Sequence, residues 1–519
     1  MTASTSRMKR RLTPLIAGLS IGAIALGGCS ADSSAPADGQ LEDTLNIVQY
    51  RVLNSFDPNI ESNQSAGRIA EEVLEGLTTY VWDDQEQTYV IAPELATEWE
   101  LTDANTWRFI LRDDAAFSDG TPMTAADVVA SFDFIVGAEK GTYKSLFDAY
   151  SVTAVDDHTV DVSSEVPDEA AVPGLFSLFR VYSADQLATE GAAALGSEPL
   201  GTGPYMIESN DQGVSTTLVY NPEWWGEEPS LKTLNFRYIT EASTRVSELN
   251  AGSADVIDTV PPVLESQIEA NTNLELLVEP FAGRRMILFN TNGGPTADEA
   301  LRKAVNYAVD RDEIVAATGG RGYPLYGTWT EGEAGYDEDY VSYEYDPEKA
   351  TEILDDAGLA GTSFTLTHQE GEETDETIAL IVQEAMAAVG VTVNIESGPS
   401  STVLTEFTSG QRAGAYVSNF AAIYPGEELL LSLHLTDNGS YSAAYGSPEV
   451  TALATELRST IDPDERLAII DDIQTQAIET EALWAPMLGY PLVYGVAAGL
   501  EWTPRQGNKY NFEDATFNR

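Results

Sequence analysis

Residues 93–134 read PELATEWELTDANTWRFILRDDAAFSDGTPMTAADVVASFDF. Trp107, Phe109 and Leu111 alternate with Arg108, Ile110 and Arg112, the period of a strand buried on one face. Ser118-Asp119-Gly120-Thr121-Pro122 is a dense turn signal, because Gly accepts positive φ and Pro fixes its own. Thr124 stands three residues before Asp127, a capping-box-like start. Val128, Val129, Phe132, Ile135 and Val136 follow at helical spacing and give one apolar face. The stretch predicts strand, turn, strand, turn, helix, and no residue pair in it is arranged for chemistry.

The chain of 519 residues has room for two or three domains with substantial cores. Its apolar fraction of 43% is that of a globular protein and excludes a disordered acidic tail. The charge is unusual: 84 Asp and Glu against 27 Lys and Arg, a formal net charge of −57. Such a surface repels nucleic acid and anionic lipid headgroups at close range. The acids are spread along the chain rather than clustered, which points to a general acidic bias more than to steering of a cationic ligand.

Residues 1–28 read as a leader. Arg7, Lys9, Arg10 and Arg11 form a basic start with no acid before Asp32, and the apolar run from Leu12 to Leu26 is short for a bilayer span. The run ends Leu26-Gly27-Gly28-Cys29, which resembles a bacterial lipobox. Cys29 is the single cysteine, so no intrachain disulfide forms. The lipobox reading expects a diacylglycerol thioether on Cys29, and two acyl chains anchor stably where one is marginal. Residues 29–40, rich in Ser, Ala, Asp and Pro, read as a flexible tether. The expected location is the extracytoplasmic face of the cell membrane, lipid-anchored.

The 93–134 stretch closely resembles a signature of the family 5 extracellular solute-binding proteins, the peptide-, nickel- and oligosaccharide-binding subunits of ABC importers. In that family an acidic Pro-containing turn, "LA-x-x-W", a strand ending Leu-Arg and "F-S/H-D-G-x-P-x-T-A-x-D-V" come in this order. Further matches follow: Asp57-Pro58 and a predicted helix from Gly67 to Gly76 ending Glu75-Gly76-Leu77, then Gly201-Thr202-Gly203-Pro204-Tyr205. Asn221 to Gly226 with Trp224 and Trp225, LNAGSADVID (249–258), Phe289-Asn290-Thr291 and ALRKAVNYAVDRDEIV (300–315) complete the set. The last is predicted as one helix with Thr296 as N-cap and Glu299 three residues on. A helical region is expected over 172–187, another helix after Asp346-Pro347, and a last long one from Asp462-Pro463 to Leu483. The resemblance covers residues 41–519.

Enzyme patterns are weak. Gly18-Leu19-Ser20-Ile21-Gly22 has the spacing of a hydrolase elbow but lies in the leader. Gly201-Thr202-Gly203 lacks a third glycine and a Lys-Ser/Thr, so it is not a phosphate loop. His158, His368 and His434 have no ligand partner at metal spacing, and no metal site is expected. The acidic run 331–344 lacks the order of a calcium loop and reads as a solvated loop. No enzyme and no cofactor are expected; a secreted acidic hydrolase is the alternative of a different class, and a purely structural surface lipoprotein the third.

The resemblance implies an α/β, two-lobed periplasmic-binding-protein type II fold with an additional inserted subdomain, whose lobes close on a solute. It implies a first lobe from 41–76, 200–289 and 495–519, an inserted subdomain 77–199 and a second lobe 290–494, with crossings near Phe289-Asn290 and Tyr494-Gly495. The implied partners are a solute, an ABC permease and the membrane through Cys29, with no nucleic acid, the protein itself being monomeric. Positions matching the family's cleft-lining segments are Glu61, Ser62, Asn63, Phe281, Arg284, Met286, Asn419, Phe420 and Tyr424, with Trp329 and Tyr143 as weaker candidates. The segment VSNFAAIYPGEE (417–428) departs from the family's "W-x-x-D-Y-P-D-P". Phe420 replaces Trp, Ile423 stands where peptide binders place an Asp for the α-amino group, and Val417 where some place an Arg for the carboxylate. A peptide ammonium left unpaired in a closed cleft costs several kcal/mol, on the order of 3–5. Two ligand readings remain: a peptide held by its backbone with Glu61 or another acid taking the amino group, or a neutral oligosaccharide stacked on aromatics. Direct metal binding has little support from three scattered histidines.

Overall fold

In the computed structural model the decisive stretch forms strand β4 (Ala96–Asp103), strand β5 (Thr106–Leu111) and the helix Ala125–Val136. The structure describes residues 43–519 apart from 58, 61–63, 84–87, 140–141, 166–167, 169, 422–429, 438, 440, 505–508 and 519. The Asp127 carboxylate accepts from the Thr124 N–H at 2.9 Å, the expected arm of the capping box. Gly120 takes φ +83 in the turn before it, a conformation that favours glycine. Phe109, Leu111, Val128, Phe132 and Ile135 are buried in one cluster with Phe147, Phe176 and Phe179, the core of the subdomain.

The chain enters by β1 (Thr44–Gln49). The hairpin β2 (Thr78–Asp83) and β3 (Thr88–Pro93) precedes β4 and β5, and β6 (Tyr150–Asp156) and β7 (Thr159–Ser164) complete a four-stranded antiparallel sheet ordered β4-β5-β7-β6. The chain then returns to the strand set of β1. Strands β8 (Tyr205–Asp211), β9 (Ser215–Tyr220), β10 (Thr233–Tyr238), β11 (Val256–Ile257) and β12 (Leu274–Phe289) follow in order. Beyond them come β13 (Tyr323–Pro324), β14 (Ser363–Gln369), β15 (Thr392–Gly398), β16 (Ala415–Ala421) and β17 (Trp484–Ala497). These join β1 in one mixed sheet ordered β15-β14-β16-β12-β17-β11-β1-β10-β9-β8, with β13 on β17. The fold is two-lobed α/β, and β12 and β17 run through both lobes. Tyr494 and Val496 pack in the core with Leu45, Ile47 and Phe236, whereas Ile287, Phe289 and Met487 pack with Leu301, Ile378 and Leu366. On β12 the change of core thus falls before Met286, several residues earlier than Phe289-Asn290. Tyr182 and Leu195 pack in the β1 core and not in that of the subdomain.

Several expected helices are shorter or divided. The first is Gln64–Ala70. It stops because the Glu72 and Val73 carbonyls accept from Tyr205 and Gly203 N–H, both at 3.0 Å, and a Cβ on Gly201 would lie 1.9 Å from the Val73 oxygen. The Gly-Thr-Gly turn is therefore a close-packing device against that helix end. The helical region 172–187 is two short helices, Val172–Leu175 and Ala184–Glu190. The 300–315 helix is two, Glu299–Ala308 and Arg311–Ala317, each capped by an Asp, Asp298 and Asp310. Thr296, expected as the cap, instead donates to the Asn290 and Gly414 carbonyls at 2.8 and 2.9 Å. The last helix runs Pro463–Gln474, loosens into a wide turn over Thr475–Thr480, and ends before β17. Among the described residues no helix is long and apolar enough to cross a membrane.

Trp224 and Trp225 wedge the junction of lobe and subdomain. Both indole N–H groups donate to Glu75, at 3.2 and 3.0 Å, and the Arg112 guanidinium lies 3.3 Å from the Trp225 ring centroid.

Candidate functional site

The site is built where β12 and β17 pass from one lobe to the other. Their antiparallel register pairs Glu279 with Leu492 and then Gly283 with Tyr490, so residues 280–282 bulge opposite a single residue. A bulge interrupts the ladder and re-aims the residues after it. Those residues are Arg284 and Arg285, which the strand period sends to opposite faces.

Arg284 is fully buried. It donates to the Thr328 carbonyl and to the Glu333 carboxylate, and its guanidinium carbon lies 5.4 Å from the Phe420 ring centroid. Glu333 accepts in addition from the Thr330 N–H at 2.6 Å and hydroxyl at 2.9 Å. Charge paired this way in a low dielectric holds the 328–333 loop against β12. Phe420 meets His434 edge-on at 4.5 Å, and burial pushes the His434 imidazole down to about 3, so it is neutral.

On the other face, Arg285 pairs with Asp375 at 2.7 Å and with Glu372 at 3.7 Å, and donates to the Tyr490 hydroxyl at 2.9 Å. Tyr490 donates onward to the Asn419 side-chain carbonyl. Burial raises the Asp375 carboxyl to about 6, with Arg285 opposing it. Toward the first lobe, Arg68 reaches both oxygens of Glu279 at 3.0 Å, and the Tyr494 hydroxyl donates to Glu279 at 2.9 Å. Asp258 accepts from the Tyr50 N–H at 2.8 Å with Arg245 at 3.9 Å, and burial raises its carboxyl to about 6. Each of these buried cations stands beside a carboxylate. The pairs set the shape of the walls: on one face half-buried Phe420 offers an aromatic ring, and on the other half-buried Asn419 and Tyr490 offer an amide and a hydroxyl. That is equipment for holding a solute by hydrogen bonds and ring contacts. Among the described residues no group of three or more His, Cys, Asp or Glu is placed to hold a metal ion.

The structure brings together part of the set expected from sequence. Arg284 sits against Phe420, and Met286, Trp329 and Phe420 share one apolar cluster. Met286 and Arg284 are fully buried behind the wall. Trp329, 2% exposed, lines a cavity of about 240 Å³ with Tyr323, Tyr326, Tyr336, Tyr340 and Gln474. Asn419 is on the opposite face of β16 from Phe420, in the Arg285–Tyr490 network. Phe281 lies in the β12 bulge; its side chain is outside the described residues. Tyr143 belongs to the subdomain core, away from this group, where burial pushes its hydroxyl up to about 12. Glu61, Ser62, Asn63, Ile423, Tyr424 and Cys29 also lie outside the described residues. Val417 is fully buried in the second-lobe core; a cation there would have no water and no partner among those apolar neighbours. Sequence reasoning missed Arg285, Tyr490, Asp375 and Glu333. The adjacent arginines in an alternating strand were the available signal for Arg285. Glu333 was read as part of a solvated acidic loop, and its burial corrects that.

The architecture and the crossing define a two-lobed α/β binding protein. A family model described as bacterial extracellular solute-binding proteins, family 5 middle, matches residues 90–442, and the chain belongs to that family. A probable D,D-dipeptide-binding periplasmic protein, DdpA, of Escherichia coli is 24% identical over 454 residues, covering 85% of this chain and 87% of its own. A glutathione-binding protein, GsiB, of Salmonella typhimurium is 26% identical, covering 95% and 97%. Among solved structures, the DppA periplasmic binding protein of Helicobacter pylori in complex with the peptide STSA superposes with a TM-score of 0.81 at 20% identity, covering 92% of this chain and 98% of that one.

Proposed function

We propose that this chain is the extracytoplasmic solute-capturing subunit of an ABC importer, taking a peptide-type solute between its lobes and delivering it to a membrane permease. The reading is carried by one observation: relatives named for dipeptide and glutathione binding match 85% and 95% of the chain, not a single module. The bulged crossing of β12 and β17 is a natural hinge, since three residues opposite one break the ladder where the lobes meet. A first lobe from 41–76, 182–285 and 492–519 against a second from 286–491, with 77–181 inserted, belongs to this reading, as does a monomer tethered through a lipid on Cys29. So do solute contacts from Glu61, Ser62, Asn63, Phe281, Asn419, Phe420 and Tyr424. Arg284 and Met286 stand behind the wall as its support, and the subunit performs no chemistry on its cargo.

A neutral oligosaccharide is the second reading, favoured by Ile423 in place of a carboxylate and by the ring-lined cavity beside Trp329. Native mass spectrometry of gently purified protein, followed by denaturation and identification of what is released, decides between them. Peptide masses are the expected outcome. Hexose-spaced masses would replace the peptide by a sugar, and turnover of any candidate solute would overturn the transport reading.

A further inference from the structure

At the far end of lobe 2 the helix Pro448–Arg458 ends in an arginine that reaches the subdomain. The Arg458 guanidinium donates to the Tyr150 hydroxyl at 2.6 Å and pairs with the Asp168 carboxylate at 3.3 Å. The backbone takes part as well: Ala170 N–H donates to the Arg458 carbonyl at 3.1 Å. Side chain and main chain of one residue thus join two bodies that are otherwise distant in sequence.

Each half of this contact is anchored in its own core. On the subdomain side Asp168 is 1% exposed and accepts from the Tyr150 hydroxyl at 2.6 Å and the Ala171 N–H at 3.0 Å, while its carbonyl accepts from the Trp107 indole at 2.8 Å. Tyr150 belongs to the subdomain's apolar cluster. On the lobe-2 side Leu457 is buried in that lobe's cluster, and Arg466 clamps the helix end by donating to the Leu457 and Thr460 carbonyls at 2.8 and 3.1 Å. A cation at a helix C-terminus also suits the helix dipole. If the lobes part, Asp168 keeps its two internal donors and Arg458, 28% exposed, gains water. The contact is built to break and re-form without unfolding either side.

We propose that Arg458, with Asp168 and Tyr150, is a latch that holds lobe 2 closed against the subdomain. The proposal rests on the lobe-closing reading above and deepens it: closure is stabilised by protein–protein contact as well as by solute. It predicts that the closed arrangement is populated without solute and that loss of the latch shifts the population toward open forms.

The test uses the full chain with Cys29→Ser, so that spin labels attach only at Val155→Cys and Ile461→Cys, 50% and 59% exposed on the two bodies. Pulsed electron–electron distance measurements are made on protein that has been unfolded, washed free of co-purified solute and refolded, with none added back. The parent is expected to show a dominant short distance. Arg458→Ala should add a longer population, and Arg458→Glu, which sets like charges together, should make it dominant. Unchanged melting temperatures separate this from damage to the fold. A parent without the short distance, or an Arg458→Glu distribution identical to the parent's, overturns the latch. Because no solute is present, failure of the solute assignment leaves this outcome untouched, and failure of the latch leaves that assignment standing.

Discussion

At the scale of single residues, the sharpest feature is how many carboxyls are buried, and Glu94 is the clearest case. It accepts from the Gly76 N–H at 2.7 Å and stands 3.9 Å from the Lys509 ammonium. Burial and the neighbouring Glu75 outweigh Lys509 and raise its carboxyl from 4.5 to about 8. A carboxyl with a raised folded pKa binds its proton more tightly folded than unfolded. Its contribution to stability is full below 4.5 and is lost as pH rises from there through about 8. Asp258 and Asp375, each raised to about 6, add the same sign over a lower window. Urea unfolding at successive pH values should therefore show stability falling from mildly acidic to mildly alkaline conditions. Glu94→Gln, which mimics the neutral acid, should flatten the slope; an equally steep slope would remove Glu94 from the account. The sequence shows this carboxylate in the acidic Pro-containing turn, Pro93-Glu94, of the family-like signature. Its burial was not legible, because the partners that surround it, Gly76 and Lys509, lie 18 and 415 residues away.

At the scale of elements, local pattern was readable where local physics decided. The alternation of Trp107, Phe109 and Leu111 and the Thr124–Asp127 start both appear as expected, because pleat and cap depend on near neighbours. The division of the 300–315 helix was not read. Val309 is extended and Asp310 caps the next turn, while Arg311 is drawn away to donate to the Leu325 and Pro486 carbonyls at 3.0 and 2.7 Å. The bulge on β12 was invisible for the same reason, since register belongs to the partner strand. Gly283, the first residue paired after it, has no room for a side chain: a Cβ would lie 2.4 Å from the Tyr490 hydroxyl oxygen. Gly283→Ala should cost about 1–3 kcal/mol in urea unfolding, the usual cost of overpacking. Part of that loss should return on adding Tyr490→Phe, which removes the atom in closest conflict. No recovery would place the constraint in the Tyr490 ring itself, whose Cζ would lie 2.7 Å from the added Cβ.

At the scale of the whole molecule, charge and architecture act together. A net charge of −57 makes the folded state repel itself, and salt screens that repulsion down to a Debye length of about 3 Å at 1 M. The melting temperature should rise with added sodium chloride; a flat or falling curve would mean that ion pairs such as Arg108–Asp161 and Arg412–Glu406 outweigh the net repulsion.

The sequence alone determined the family, because its signature is a run of turn glycines, capping residues and strand alternation whose physics is local. It also set the α/β class by the same means. Tertiary structure alone decided the character of the site. Arg284 and Glu333 are 49 residues apart, and Arg285 and Tyr490 are 205 apart. Whether such residues face a solute or bury against each other is fixed by how β12 and β17 cross. A buried pair is made by removing water from both partners, and that removal is a property of the packed whole.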